Sequence, residues 1–148
     1  MRLKQGLAIA AGAMLGVATA AVLFASPSYI NVTGTDSIQV DVSQITDGSA
    51  QEYCYRDDGG RKIRFVLARD GQGKVHSVID ACRECYQYGR GYKVSDGELV
   101  CRVCGNRYPL EHLERGKASC VPVGLPHTES GKQVTVKVSD LKAAGGFF

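Results

Sequence analysis

Four of the six cysteines form two pairs, Cys82-x2-Cys85 and Cys101-x2-Cys104, which we call the first and second knuckle. Two cysteines at this spacing on a tight turn direct both sulfurs to one point, and a hairpin can bring a second pair opposite. Gly105 suits the turn that the second knuckle requires. Four thiolates can hold zinc, a single iron or an iron–sulfur cluster. The pattern therefore predicts a metal centre bound by Cys82, Cys85, Cys101 and Cys104.

The same cysteines allow two other interpretations. Six is an even number, and cysteines outside the cytoplasm are commonly paired as disulfides. Disulfide scaffolds rarely concentrate their cysteines in two paired knuckles, so the spacing favours metal. Redox-active dithiol chemistry is the third interpretation, but neither pair opens a helix in a βαβ setting. Among metals the spacing alone favours zinc, the commoner case.

Cys54 and Cys120 lie outside the two knuckles. Cys120 is a candidate fifth or replacement ligand, or it pairs with Cys54 in a disulfide. The remaining alternative is two free thiols, which are uncommon outside the cytoplasm.

The other chemistry-bearing side chains give weaker signals. His76 falls in a strand pattern, His112 follows the second knuckle and His127 follows a proline; none has ligand spacing. Tyrosines surround the knuckles, where packing is their simplest role and shielding of a metal centre overlaps with it: Tyr86, Tyr88, Tyr92 and Tyr108. The sequence shows no Ser-His-Asp set, paired catalytic carboxylates or phosphate-binding glycine loop. No catalytic residue is predicted, and an electron carrier is favoured over an enzyme. The alternatives are a structural-zinc module that holds partner proteins and a metal-binding chaperone.

Alternating apolar and polar residues indicate the strands that would position the knuckles. Such runs occur around Ile38–Val42, in a hairpin region from Glu52 to Asp80, between the knuckles and at Val134–Val138. Ser139–Gly145 predicts one helical turn, capped by Ser139 or Asp140 and ended by Gly145. We therefore predict a mainly β domain, a small antiparallel sandwich or barrel carrying two CxxC metal knuckles.

The N-terminus predicts membrane targeting. Two cationic residues, Arg2 and Lys4, precede an uncharged run of 20 residues at 6–25, long enough to span a bilayer as a helix. The charges hold that end in the cytoplasm, so the body lies outside. A cleaved signal peptide is the alternative and gives the same location. The expected organisation is an anchor or signal segment at 1–28, a stalk with the first strand at 29–50 and a metal-binding domain at 51–148.

The charge balance excludes one class of partner. Arg2 and Lys4 account for two of the 18 basic residues, against 15 acidic residues in the chain, so the body is close to neutral. It contains no basic block, and nucleic-acid binding has no electrostatic basis.

The stretch from Tyr53 to Phe148 resembles the FtrD-like membrane iron–sulfur proteins. The resemblance rests on motifs of that family found here at Asp80–Tyr86, Gly91-Tyr92, Val100–Gly105, Tyr108-Pro109 and Cys120-x-Pro122. Two features depart from the pattern: Ala118-Ser119 stands where a Gly-Gly-like step is expected, and Cys54 is not part of it.

The resemblance implies an anchored iron–sulfur centre that transfers electrons in ferrous iron uptake, with a redox protein or a membrane permease as partner. The motif order also resembles a Rieske-type domain with its two His ligands replaced by Cys. An all-thiolate site carries more negative charge than a Rieske site, so a lower reduction potential is expected.

Overall fold

The structure, a computed structural model, describes residues 28–113 and 120–148. The predicted anchor at 6–25 lies outside these residues. In the part of the chain that is described, no helix has both the length and the apolar character needed to cross a membrane.

The described residues form eleven strands and one short α-helix, α1. The strands in chain order are β1 (Ile30–Val32), β2 (Ser37–Asp41), β3 (Ser49–Arg56), β4 (Lys62–Arg69), β5 (Val75–Cys82), β6 (Tyr92–Ser95), β7 (Glu98–Cys101), β8 (Arg107–Pro109), β9 (Pro122–Gly124), β10 (Thr128–Ser130) and β11 (Gln133–Lys137). Helix α1 spans Val138–Ala143, and 3-10 turns lie at Tyr86–Tyr88, Leu110–His112 and Ala144–Phe147. The predicted mainly β class is confirmed.

A five-stranded sheet in the order β1-β3-β4-β5-β9 is the centre of the domain. Its long strands β3, β4 and β5 pair antiparallel in sequence order, as the hairpin pattern predicts. Short β1 pairs parallel with β3, and short β9 pairs antiparallel with β5. The three long strands β3, β4 and β5 therefore form the middle of the central sheet, which we call the platform, and the short strands β1 and β9 occupy its two edges.

Two smaller sheets accompany the platform. One has the order β10-β11-β2 and the other the order β6-β7-β8. The arrangement is sandwich-like and its sheets are not closed, so the barrel alternative is wrong. The segment predicted as a stalk, 29–50, contributes β1 and β2 to two of these sheets and therefore packs within the domain.

The central sheet has a hydrophobic core on each face, because successive side chains of a strand point to opposite sides. The first core holds alternate residues of β4, Ile63, Phe65 and Leu67, against apolar residues of β2, β11 and α1. The second core holds the intervening Val66 and Ala68, against residues of β6–β8. The second core also contains three cysteines, Cys82, Cys101 and Cys120.

The C-terminal helix differs from its predicted form in one detail. Helix α1 begins at Val138, directly after Lys137, and no side chain caps its N-terminus, so the predicted cap by Ser139 or Asp140 is wrong. The helix begins early because Val138 and Leu141 are both buried against the first core. Tertiary packing of these two side chains outweighs the local capping preference.

Candidate metal centre

The first knuckle begins where the central sheet ends. Cys82 is the last residue of β5, and the Cys85 amide donates to the Cys82 carbonyl at 3.2 Å. The chain then enters the 3-10 turn Tyr86–Tyr88, which ends at Gly89 in the left-handed region with φ of 62°. A residue with a side chain would be strained there. The sheet thus fixes Cys82, and the turn folds Cys85 back towards it.

The second knuckle is the turn between β7 and β8. Cys101 is the last residue of β7, and its amide donates to the Asn106 carbonyl at 2.9 Å. Gly105 has φ of 74° and donates its amide to the Cys101 carbonyl at 3.0 Å, as the sequence pattern requires. Cys101 is buried, whereas Cys104 is exposed at the tip of the turn.

The structure brings five sulfurs together. The Sγ atoms of Cys82, Cys85, Cys101 and Cys120 all lie within 4.8 Å of one another. The Cys104 Sγ lies 3.4 Å from the Cys120 Sγ. The four knuckle cysteines predicted as ligands therefore converge, and Cys120, the candidate fifth ligand, lies among them. Their role as ligands stays a prediction.

The predicted Cys54–Cys120 disulfide is not what the structure shows. Cys120 is bonded to Cys82, and Cys54 is a buried free thiol. Cys54 lies within β3, and Cys120 lies just before β9; β4 and β5 separate these strands in the central sheet. Adjacent strands are about 4.8 Å apart, so three spacings greatly exceed the Cα separation of about 7 Å that a disulfide permits.

Aromatic side chains enclose the buried part of the sulfur cluster. The rings of Tyr92 and Tyr108 meet edge to face at 6.1 Å, and the Tyr108 hydroxyl donates to the Cys120 carbonyl. The Tyr92 hydroxyl is the one side-chain polar atom, among the described residues, that is buried without a hydrogen-bond partner. Burial raises the pKa of Tyr92 most, and charge on Tyr108, Cys101 and Asp80 adds to it.

The chemistry of the donor set fits a soft metal centre. Five clustered cysteine sulfurs, once reduced, offer the ligands that zinc and iron–sulfur clusters take. The unpartnered Tyr92 hydroxyl beside them also suits a site to which a bound group adds an acceptor atom. Burial and the neighbouring sulfurs of Cys104 and Cys101 raise the pKa of the Cys85 thiol to about 11. Binding a metal would offset this cost of forming a thiolate.

A buried carboxylate, Asp80, joins the first knuckle to the segment between the knuckles. Its Oδ1 accepts the Tyr92 amide at 2.7 Å, and its Oδ2 accepts the Tyr29 hydroxyl at 2.8 Å. The Arg64 Nε lies 3.9 Å from the same Oδ2. A side chain at Gly91, where φ is 61°, would collide with this carboxylate. Asp80 therefore sets the distance between β5 and β6.

The charges around Asp80 extend across this face of the sheet. Burial raises the pKa of Asp80, and the hydrogen bonds from Tyr92 and Tyr29 only partly oppose this. Burial and repulsion from Asp80 also raise the pKa of Glu52, which Arg102 opposes from 3.4 Å. Arg102 in turn donates through Nε to the Tyr92 carbonyl. The β6 segment is thus held by one buried carboxylate and one guanidinium.

The three histidines lie apart from the sulfurs. His76 Nε2 lies 2.8 Å from the Asp70 carboxylate at the β4–β5 turn, and His127 Nδ1 lies 2.8 Å from the Ser77 hydroxyl. His112 is exposed at the end of a 3-10 turn. Among the described residues, the group of side chains close enough to hold a metal consists of cysteines alone.

Ser77, His127 and Glu129 superficially form a triad, since the His127 Nε2 lies 3.4 Å from a Glu129 oxygen. The Ser77 hydroxyl, however, donates its proton to the Leu125 carbonyl. The serine is also buried in β5. Its hydroxyl ties β5 to Leu125, directly after β9, which is a structural role.

Sequence reasoning missed Tyr29, Arg64, Arg102 and Glu52 as neighbours of the site. Asp80 lies within the motif that carries the family resemblance, but its partners come from two other strands, β4 and β6, and from the N-terminal segment. The sequence signal for a buried, partnered carboxylate is a charged residue in an otherwise apolar strand, as Asp80 is in Val78-Ile79-Asp80-Ala81.

Comparison with known proteins identifies a family that covers most of the chain. A family described as "Membrane iron-sulfur containing protein FtrD-like" matches residues 45–148. No curated protein and no solved structure matches the chain.

Proposed function

Because this chain belongs to the FtrD-like family of membrane iron–sulfur containing proteins, we propose that it is a membrane-anchored electron carrier. Its iron–sulfur centre would be held by Cys82, Cys85, Cys101 and Cys104. Such a centre supplies one-electron transfer when bound. The domain would face the outside of the membrane and carry electrons linked to ferrous iron oxidation and uptake.

The observation that carries the proposal is the convergence of the knuckle sulfurs between the second core and the surface. Cys82 and Cys101 are buried at the ends of β5 and β7, whereas Cys104 is exposed. A centre held there is fixed on one side by two strands and reached by partners on the other. An electron carrier needs this combination, because electrons pass between proteins without a substrate pocket.

The chain offers five sulfurs, one more than a four-ligand centre requires. We assign the ligands to the knuckle cysteines because each pair lies on a turn that directs two sulfurs to one point. Cys120 would then be the additional sulfur, close enough to replace a ligand. A centre held by the knuckles would need Cys82 as a thiolate, so the loaded protein would lack the Cys82–Cys120 bond.

The location and partners of the domain follow from the N-terminal sequence and the family. The apolar run at 6–25 would anchor the chain, and the cationic residues before it would leave the domain outside. A redox protein or a membrane permease would be the partner. Membership of a membrane-protein family supports this location.

An anaerobic redox titration followed by electron paramagnetic resonance tests the proposal. We expect one reversible one-electron step at a potential below that of Rieske centres, because four thiolates hold more negative charge than two thiolates and two imidazoles. A potential in the Rieske range would contradict the all-thiolate site. A protein with no redox step and bound zinc would instead be a structural module that holds partners through its knuckles.

A further inference from the structure

We propose that a basic groove beside the first knuckle is the docking surface for an acidic protein partner. We define the basic groove as two adjoining cavities, of about 600 and 500 Å³, that share Arg64 and Gly89. The inference deepens the proposed function, on which it rests, by locating where a redox partner binds and what charge that partner carries.

The groove is lined by cations. The larger cavity includes Arg56, Arg61 and Lys62 in addition to Arg64, and the smaller includes Arg90, Lys93 and Arg102. No acidic side chain is among the described residues that line either cavity. In a domain whose total charge is close to neutral, such a concentration of one sign marks a surface that attracts the opposite sign.

Several of these cations have no carboxylate partner in the protein. Arg61, Arg64 and Arg102 are within 4 Å of Asp57, Asp80 and Glu52, respectively. In the described part of the chain, no ion pair involves Lys62, Arg90 or Lys93. Lys62, Arg90 and Lys93 are exposed. Their charges are therefore available to carboxylates of another molecule.

Aromatic rings form the wall of the groove nearest the sulfurs. Tyr86 follows Cys85 directly, lies edge to face with Phe147 at 5.4 Å, and remains 42% exposed. The Arg64 guanidinium lies over the Phe148 ring at 5.2 Å, and both residues line the larger cavity. Exposed aromatic side chains beside arginines are the composition of protein interfaces, where these residue types contribute most of the binding energy.

The shape of the surface favours a protein over a membrane. A concave groove can receive a protruding acidic loop, whereas a flat anionic bilayer reaches only its rim. An encounter of this kind is expected to be small, weak and sensitive to salt.

Binding to an acidic haem protein, cytochrome b5, tests the proposal on the full chain in detergent. We would measure the dissociation constant by NMR titration at low ionic strength. The shifts should map to Tyr86, Gln87 and Gly89, which line the larger cavity. The double variant Lys62→Glu/Lys93→Glu should bind at least about tenfold more weakly, and Lys62→Gln/Lys93→Gln should fall between it and the parent protein.

The matched control is Lys74→Glu/Lys132→Glu, with the same change of net charge. Lys74 is in the β4–β5 turn, about 20 Å or more from Lys62 along eight-residue β4. Lys132, in the β10–β11 turn, lies at the same end of β4, since its carbonyl accepts the Val42 amide and the Val42 carbonyl accepts from Arg69. This variant should change the affinity less than about twofold. Equal weakening by both double variants would overturn the proposal, because net charge alone would then explain binding.

Two further outcomes would overturn it: equal binding of basic cytochrome c, or capture by anionic phosphatidylserine vesicles that depends on Lys62 and Lys93. The binding measurement does not require a loaded cluster, so it is separable from the proposed function. Iron and sulfide contents measured on the same samples report the cluster. Binding by a protein that lacks a cluster would support the docking surface and contradict the electron-carrier proposal. A cluster in a protein that does not bind would support the electron carrier and contradict the docking surface.

Discussion

The two faces of the central sheet show how this domain separates stability from chemistry. One face is covered by the first core, which consists of hydrocarbon and aromatic side chains from β2, β11 and α1. The other face carries the second core with its sulfurs, the buried carboxylate of Asp80 and the cations of the basic groove. Buried charge and unpaired thiols lower the stability of the fold, and the hydrophobic burial on the first face compensates for this loss on the second.

This difference leads us to expect a domain that folds without metal. The described residues include 18 buried apolar side chains in the first core alone, which is enough to hold a sheet without zinc or iron. Small zinc-dependent domains, in contrast, unfold when metal is removed. The predictions below test whether the two faces are independent, from the largest expected effect to the smallest.

Replacing a ligand should remove the centre and leave the fold. We expect Cys101→Ser to abolish the visible absorption of the anaerobically purified protein, because a buried ligand at the end of β7 is lost. Far-UV circular dichroism should match the parent protein, since the first core is untouched. A variant that fails to fold would show that metal is required for the whole domain.

The choice among the five sulfurs is tested by a matched pair. Cys104→Ser should lose the centre, and Cys120→Ser should retain it, as measured by iron and sulfide per protein. If Cys120→Ser loses the centre and Cys104→Ser retains it, the ligand set is Cys82, Cys85, Cys101 and Cys120, whose sulfurs lie within 4.8 Å of one another.

Core truncations should have different consequences on the two faces. Phe65→Ala in the first core should lower the free energy of unfolding by about 3–5 kcal/mol and leave the iron content of the folded fraction unchanged. Leu99→Ala in the second core should cost about 2–5 kcal/mol and also reduce iron content, because β7 carries Cys101. Denaturant unfolding with iron analysis measures both. Equal iron loss in the two variants would contradict independent faces.

The buried carboxylate should matter for position as much as for stability. Asp80→Ala removes the acceptor of the buried Tyr92 amide and should lower the free energy of unfolding by about 1–3 kcal/mol. Asp80→Asn retains an acceptor oxygen and should lose less. Chemical denaturation at neutral pH compares them, with Asp47→Ala on the exposed surface as the control. An equal loss of unfolding free energy in Asp80→Ala and Asp47→Ala would show that the hydrogen bond from the Tyr92 amide to Asp80 contributes nothing to stability.

The smallest effect is expected at the far end of the sheet from the sulfurs. The His76 hydrogen bond and the amides of Lys74 and Gln72 outweigh burial and hold the pKa of Asp70 below its usual value of 3.8. A lowered folded-state pKa stabilises the fold above pH 3.8, and that stability is lost as pH falls through the folded value.

Asp70→Asn should therefore lower Tm at pH 6 and have less effect at pH 3, with iron content unchanged. Thermal unfolding across this range provides the measurement. A Tm difference that does not depend on pH would show that the carboxylate charge contributes nothing.

The parts of the fold predicted from sequence are those set by local pattern. Alternation in β3, β4 and β5 fixes which side chains share a face, and the turns between them fix antiparallel pairing. The knuckle spacing likewise indicated that four sulfurs would meet. Period and spacing are properties of neighbouring residues, so one sequence is sufficient to see them.

The features that were missed depend on distant residues. The parallel pairing of β1 with β3 and the pairing of the edge strand β9 with β5 join segments far apart in the chain. The same holds for the Tyr29–Asp80 hydrogen bond, formed across 51 positions. No local sequence pattern specifies such a contact, so it can be predicted only when the order of the strands in the sheet is known.

The central claim is that the knuckle cysteines hold an iron–sulfur centre, and metal analysis of the full chain tests it most directly. We would purify the protein without oxygen, record its absorption spectrum and determine iron, zinc and acid-labile sulfide. A brown protein with iron and sulfide in comparable amounts is the expected result. A colourless protein that holds zinc, without sulfide, would contradict the account.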